Sequence, residues 1–301
     1  MTISFSNDII NINNAAKRKR GYMSKVFSEK ELIERSINKK FRKTVWNPFI
    51  EAVKKYSLIE ENDKIAVCIS GGKDSALLAK LMQMLHRFSE IPFSLEYIVM
   101  DPGYIPENRQ KILDNMEKLG IEVKIFDSDI FNSVSMVEKS PCYLCARMRR
   151  GYLYEFARSL GCNKIALGHH LDDVVETTVM AMFYGAQLQG MLPKLRSTNH
   201  EGMELIRPLY TVEESAIRAW RDYNGLSFLQ CACRFTEAAE EDEHLSKRSE
   251  TKKLIETLKK DNPLIVRNIY NALHNVCLDT FCGYKQGGKK YEFNEIYNKQ
   301  K

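Results

Sequence analysis

The chain has 301 residues and lacks any apolar run approaching the roughly 20 residues that cross a bilayer as a helix. Its opening stretch, MTISFSNDIININ, also lacks the charged-then-apolar layout of a secretory signal. These absences argue against the membrane-spanning and exported classes and lead to the expectation of a soluble, cytoplasmic protein with no membrane partner. No internal repeat and no linker-like low-complexity tract is present, which excludes solenoids and arrays. Two familiar nucleotide signatures are missing as well, since neither G-x-x-x-x-G-K-[ST] nor G-x-G-x-x-G occurs.

What is there begins with 44% hydrophobic residues, enough for a substantial core at this length. The net charge of +6 is unevenly placed: residues 15–45 hold eleven Lys/Arg against three Glu, so the rest of the chain is slightly acidic. The basic character is an arm, with Lys17, Arg18, Lys19, Arg20, Lys39, Lys40, Arg42 and Lys43 as candidate contacts to a phosphate backbone. A solvated helix face accounts for the same run equally well. The acidic run at 237–243 reads as a solvated connection or helix start.

Apolar spacing predicts a helix in WNPFIEAVKKYSLI and a buried strand in IAVCIS. Helix and strand then alternate: helix ALLAKLMQMLHRF, strand LEYIVMD, helix PENRQKILDNMEKLG with Pro at its start and Gly at its end, strand VKIFD, helix CARMRRGYLYEFARSLG, strand KIALGHH, helix LDDVVETTVMAMFYG. The expected fold is α/β, a Rossmann-like, doubly wound parallel sheet with helical N- and C-terminal flanks, whose ligands bind beyond the carboxyl ends of the strands. Past residue 186, loop and short extended segments precede a helix at TVEESAIRAWRDYN, where Thr211 and Glu214 have capping-box spacing. Residues 244–276 read as helical and the tail from Gly283 as loose. The organisation expected is a basic arm and helix at 1–60, a catalytic domain at 61–235 and a helical extension at 236–301.

The stretch CISGGKDSALLAK places two glycines, a lysine, an aspartate and two serines between strand and helix. Glycines allow a sharp turn and close approach to an anion, and the N–H groups at the helix start point at it. The pattern S-G-G-x-D-S resembles the PP-loop of the ATP pyrophosphatase superfamily (adenine nucleotide alpha hydrolase-like), whose members cleave ATP between the α and β phosphates and adenylate a substrate. The resemblance gives Ser70, Gly71, Gly72 and Ser75 the pyrophosphate end of ATP and places Asp74 near Mg²⁺. Lys73 occupies the variable position, and the end of the second strand, around Val99, Met100 and Asp101, is implied to meet the adenine. LGHHLDD resembles the G-H-x-x-D-D segment of PP-loop enzymes acting on tRNA, which puts Gly168, His169 and Asp173 near phosphates and metal. Acidic residues such as Asp172 and Asp173 also favour a helix first turn through its dipole.

Eight cysteines in a chain expected to be cytosolic argue for metal, cluster or redox use rather than disulfides. Cys142 and Cys145 form a C-x-x-C at a helix start, near Arg147, Arg149 and Arg150, and Cys231 and Cys233 lie far downstream. Four thiolates would make a structural zinc site, and three an iron–sulfur cluster with one open iron. The PP-loop, PCYLCARMRRGYLY, KIALGHHLDDVVET, MFYGAQLQGMLPKL and IRPLY are together similar, in order and spacing, to the tRNA 2-thiocytidine biosynthesis proteins (the TtcA family), over roughly residues 40–235.

That resemblance implies an ATP-dependent tRNA sulfurtransferase. It implies a 4Fe-4S cluster on Cys142, Cys145 and Cys231, a homodimer, and a cysteine desulfurase or other sulfur donor. The family's distal P-C-x-x-C is Q-C-x-C here, so Cys233 competes with Cys231. Arg150 is a candidate for stabilising developing negative charge, or for a phosphate contact. The competing readings are another PP-loop chemistry (2-thiouridine formation, desulfuration or lysidine-type adenylation), and a non-catalytic ATP-binding protein with structural zinc.

Overall fold

The computed structural model describes residues 27–128, 141–229 and 243–298, with the side chains of 141–147 and 243–246 outside that description. The chain forms two compact units, Met1–Lys252 and Lys253–Lys301.

In the first unit, strand β1 (Lys64–Ile69) is buried at every position after Lys64, the pattern of a central parallel strand covered on both faces. Helix α3 (Lys73–Phe88) leads from it to β2 (Ser94–Asp101), and α4 (Pro106–Leu119) leads on to β3 (Lys124–Asp127). Pro106 opens α4 and Gly120 closes it in the left-handed region at φ 66°, as the sequence predicts. Helix α5 (Pro141–Ser159) returns the chain to β4 (Lys164–Ala166) on the other side of β1, and α6 (Leu171–Gly185) follows. The sheet order is β3-β2-β1-β4-β6-β5, with β5 spanning Lys194–Arg196 and β6 spanning Glu204–Ile206.

Strand order therefore reverses between β1 and β4, the topological switch point at which an open α/β sheet forms its ligand crevice. On one face, Tyr154 and Ala157 of α5 pack with Ala66, Cys68, Ile98, Ile165 and Leu205, alternate residues of four strands. Parallel connections carry the loops after β1, β2, β4 and β6, and the N-terminus of α5, to the carboxyl edge of the sheet. The expected all-parallel sheet needs one correction: β5 pairs antiparallel with β6, Lys194 opposite Ile206. The connection between them is a short turn, which joins antiparallel neighbours without a crossover helix.

Two further helices precede the sheet, α1 (Glu29–Asn38) and α2 (Asn47–Lys55), joined through a wide helical turn at Arg42–Trp46. Helix α7 (Glu214–Tyr223) begins two residues later than the Thr211 capping box predicts. Thr211 instead donates its hydroxyl to Pro48 O at 2.6 Å, and the Glu214 N–H is met by Asp172 Oδ2 at 2.7 Å. A long-range carboxylate has replaced the local cap.

Helix α8 (Glu243–Asp261) runs across the division between the units. The second unit continues with α9 (Ile265–Ala272), strands β7 (Gly283–Gln286) and β8 (Lys289–Glu292), and α10 (Phe293–Asn298). The tail is thus not loose. Gly287 and Gly288, at φ 58° and 80°, make the two-residue turn that hairpins favour, and Tyr284 stacks on Tyr291 across it at 4.8 Å.

Candidate active site

The turn after β1 is held by its serines. Ser75 Oγ donates to Gly72 O at 3.0 Å and accepts from Ser70 N at 3.1 Å, while the two hydroxyls lie 3.1 Å apart. Gly71 sits at φ 84°, and a Cβ there would meet Ile112 Cγ1 at 2.8 Å, so both conformation and space demand glycine. Gly168, expected near the phosphates, has a different immediate role. A Cβ on it would lie 3.0 Å from Ser75 N and 3.1 Å from Asp74 C, so its bareness lets the loop after β4 press against the start of α3.

Those two loops bring together the acidic and histidine residues. Asp74 Oδ2 accepts from Lys73 Nζ at 3.1 Å, whereas Oδ1 is buried with no hydrogen-bond donor among the described residues. The buried ring of His170 lies 3.8 Å from that orphaned oxygen and 3.5 Å from Asp173 Oδ2. A carboxylate oxygen buried without a donor fits a hard cation such as Mg²⁺. Asp173 is differently placed: Oδ2 accepts from His170 N at 2.9 Å and Oδ1 pairs with Arg248, which also donates to Glu176 at 2.9 Å. Burial pushes the Asp173 pKa up, but His170 and Arg248 more than offset this and hold it below the ordinary value.

Lys73 bridges Asp74 and Glu214, 3.0 Å from Glu214 Oε1. Burial disfavours its charge, yet the two carboxylates outweigh that and raise its pKa. Glu214 also takes Lys252 at 2.8 Å and Arg218 at 2.9 Å, and despite burial these cations keep it far below the carboxylate range. His170, Glu176, Glu214, Arg248 and Lys252 were not singled out by sequence reasoning. His170 and Glu176 sit inside the KIALGHHLDDVVET stretch and Glu214 in the Thr211 capping-box spacing, whereas Arg248 and Lys252 are brought in by a helix far along the chain.

One strand over, Arg207 follows β6 with 6% of its surface exposed, and burial with Arg150 nearby pushes its pKa down to about 10. Burial, Arg207 and Arg150 together outweigh Asp173 and push the His169 pKa down to about 4, so its ring is neutral at physiological pH. At the end of β2, buried Met100 is packed against Phe126, Met148 and Leu153. Asp101 Oδ1 accepts from Gly103 N and Tyr104 N at 2.9 and 2.7 Å, shaping the turn beyond the strand.

Cys142 and Cys145 stand one turn apart in the first turn of α5, which starts at the same sheet edge as the glycine loop. A C-x-x-C spacing at a helix start is one that supplies two ligands to a cluster or to zinc. Cys231 and Cys233 lie outside the described residues, as do Lys17, Arg18, Lys19 and Arg20. Cys68 and Cys162 are buried in the core, where burial raises both thiol pKa values, that of Cys162 to about 11. Lys39, Lys40, Arg42 and Lys43 are exposed. Lys40 lies over the ring of Tyr223 at 3.8 Å, beside a cleft of about 410 Å³ that Arg35, Lys39 and Tyr223 also line.

Comparison with known proteins gives consistent matches. Residues 34–233 match the PP-loop domain family. A tRNA-cytidine(32) 2-sulfurtransferase of Syntrophotalea carbinolica is 39% identical over 230 residues, covering 75% of this chain and 86% of its own. The protein of the same name from Aliivibrio fischeri is 34% identical over 264 residues, 84% of this chain and 80% of its own. Among solved structures, the U34-tRNA thiolase NcsA from Methanococcus maripaludis, determined with its [4Fe-4S] cluster, superposes with a TM-score of 0.58. It is 24% identical and covers 82% of this chain and 81% of its own, a likeness of fold. No helix among the described residues is long and apolar enough to cross a membrane.

Proposed function

Since the chain belongs to the tRNA-cytidine(32) 2-sulfurtransferase family of PP-loop proteins, we propose that it is an ATP-dependent tRNA thiolase that converts a cytidine of the anticodon loop to 2-thiocytidine. The observation that carries the reading is convergence on one sheet edge. The glycine loop after β1, the LGHHLDD loop after β4 and the C-x-x-C start of α5 all meet there.

The chemistry explains why each part is needed. A pyrimidine C2 oxygen is a poor leaving group, and transfer of AMP to it from ATP makes it a good one. The Ser70–Ser75 turn and the first N–H groups of α3 hold the departing pyrophosphate. Asp74 would hold a Mg²⁺ through its orphaned Oδ1, and that ion would neutralise phosphate charge. The ring of His170 fills the space between Asp74, Asp172 and Asp173, at 3.8, 3.7 and 3.5 Å. Neutral His169 is suited to accepting or donating a hydrogen bond without adding charge. A 4Fe-4S cluster on Cys142, Cys145 and either Cys231 or Cys233 would supply a position for the incoming sulfur.

The base must leave its stack to enter, which suits a single-stranded loop. Lys39, Lys40, Arg42 and Lys43, with Lys17, Arg18, Lys19 and Arg20, would grip the tRNA backbone. The resemblance alone supports a cysteine desulfurase or other sulfur donor, a homodimer and a cytoplasmic setting.

The test is to incubate protein purified without oxygen with tRNA lacking thiolated bases, ATP, Mg²⁺ and sulfide, then analyse the nucleosides by mass spectrometry. 2-Thiocytidine together with AMP and pyrophosphate is expected. 2-Thiouridine, or loss of sulfur from a thiolated tRNA, would move the protein to another PP-loop chemistry. Zinc without iron would remove the sulfur-transfer reading.

A further inference from the structure

Arg207 is an unusual residue to bury. It follows β6 directly, where Leu167 N donates to Ile206 O at 3.0 Å, so it stands beside the Gly168–His169 segment at the sheet's carboxyl edge. Its Nη1 donates to Leu192 O, while Nε is buried with no hydrogen-bond partner. No carboxylate forms an ion pair with it among the described residues: the nearby Asp173 is paired with Arg248, and the larger charge effect on Arg207 comes from another cation, Arg150. Burying a guanidinium without an ion-pair partner and with an orphaned donor is costly unless a ligand completes the site. Because Nη1 is engaged by Leu192, the open edge is the side carrying Nε–H and Nη2. That pair of parallel donors matches two oxygens of a phosphate or carboxylate. Neutral His169 adds no charge beside it, and Arg207 remains charged at neutral pH.

We propose that Arg207, assisted by the exposed Arg150, is a buried subsite for a phosphoryl group, and that its ligand is the adenylyl phosphate passing from ATP to the base. This deepens the thiolase reading and rests on it. In the adenylation step a lone pair of the C2 oxygen forms the bond to the α-phosphorus. The bond from that phosphorus to the oxygen bridging to the β-phosphorus breaks, and its electron pair leaves with pyrophosphate. The two non-bridging α oxygens keep their negative charge throughout, and that charge meets the fork of Arg207. A phosphate of the RNA backbone offers the same two oxygens, but a residue 94% buried one strand from the β1–β4 crevice is better placed for the nucleotide than for a strand lying on the surface.

The experiment is calorimetric titration of the holoprotein with AMP and, separately, with inorganic pyrophosphate, for the wild type, Arg207→Gln, Arg207→Lys and Arg150→Gln. A charge-assisted hydrogen-bond pair predicts about tenfold or more weaker AMP binding in Arg207→Gln, partial recovery in Arg207→Lys and about threefold loss in Arg150→Gln. Pyrophosphate affinity should stay within about twofold, because the Ser70–Ser75 turn is untouched. Unchanged AMP affinity in a variant with the wild-type melting temperature overturns the subsite. Should Arg207→Gln fail to fold, Arg150→Gln decides by the same criterion. An anticodon stem-loop carrying a neutral methylphosphonate beside the target cytidine separates the two sources. If Arg207→Gln weakens only the unmodified loop and spares AMP, the subsite belongs to the RNA backbone and the assignment fails. If wild-type protein binds neither AMP nor pyrophosphate, the ATP reading itself falls, a failure distinct from loss confined to the variants.

Discussion

Glu214 Oε1 lies 3.0 Å from Lys73 Nζ, tying the first residue of α7 to the first residue of α3. The same carboxylate takes Lys252 of α8, so the phosphate turn is braced by two helices that follow the sheet in the sequence. Replacing Glu214 by Gln leaves Lys73, Arg218 and Lys252 without their shared counter-charge. We expect a loss of about 2–3 kcal/mol, given that Glu214 is largely buried and breaking such a pair strands its partners. Equilibrium denaturant unfolding checks this, and a change under about 0.5 kcal/mol would reduce the brace to a surface contact.

Asp74→Ala should leave stability near the wild-type value, since Oδ1 has no protein donor to lose and Lys73, released from Oδ2, keeps Glu214. Consumption of ATP should fall by about 10²–10³-fold, the scale for losing one electrostatic group at a reacting phosphate. Unchanged ATP consumption in the presence of tRNA would remove the PP-loop assignment for this turn.

Gly168→Ala brings a methyl group to 3.0 Å from Ser75 N, where backbone must give way. Overpacking of this kind costs about 1–3 kcal/mol. Because the displaced atoms open α3, the KM for ATP should rise as the melting temperature falls. A fall in stability with an unchanged KM would mean that the loop after β4 does not set the shape of the turn.

His169 makes stability depend on pH in a defined window. The unfolded residue takes up a proton near the ordinary histidine value of 6.5, whereas the folded one resists until about 4. Between these values the unfolded state binds more protons, so stability falls as pH drops from about 6.5 to about 4 and is unaffected by this group above 6.5. Glu214 and Asp173, whose folded pKa values are depressed, lose their contribution lower down, as pH falls below their ordinary range. His169→Gln should therefore flatten the upper part of the acid limb and leave the lower part. An identical slope in both proteins between pH 6.5 and 4 would count against the assignment.

The sheet was legible because its signals are local. Apolar strands, Pro106 and Gly120 mark their elements by residue type, and α6 begins and ends where LDDVVETTVMAMFYG does. What escaped is what tertiary contact decides. Thr211 has the spacing of a cap, yet Pro48 O claims its hydroxyl and Asp172 serves the helix instead. The tail hid its hairpin because a Gly-Gly pair among lysines looks like loop until the tyrosines on either side are paired. In the site, the motif residues Ser70, Gly71, Asp74 and Gly168 could be read from spacing. Glu214, Arg248 and Arg207 have no motif that announces a charged partner, and their roles come from which strand or helix carries them to the edge.

The bracing of Lys73 by Glu214 and Lys252 also has a bearing on synthesis. The phosphate turn leaves the ribosome long before either partner has been made, so a nascent chain holds the SGGKDS sequence without the clasp that settles its lysine. A chain that ends before residue 214 keeps only the Asp74 contact to its Lys73.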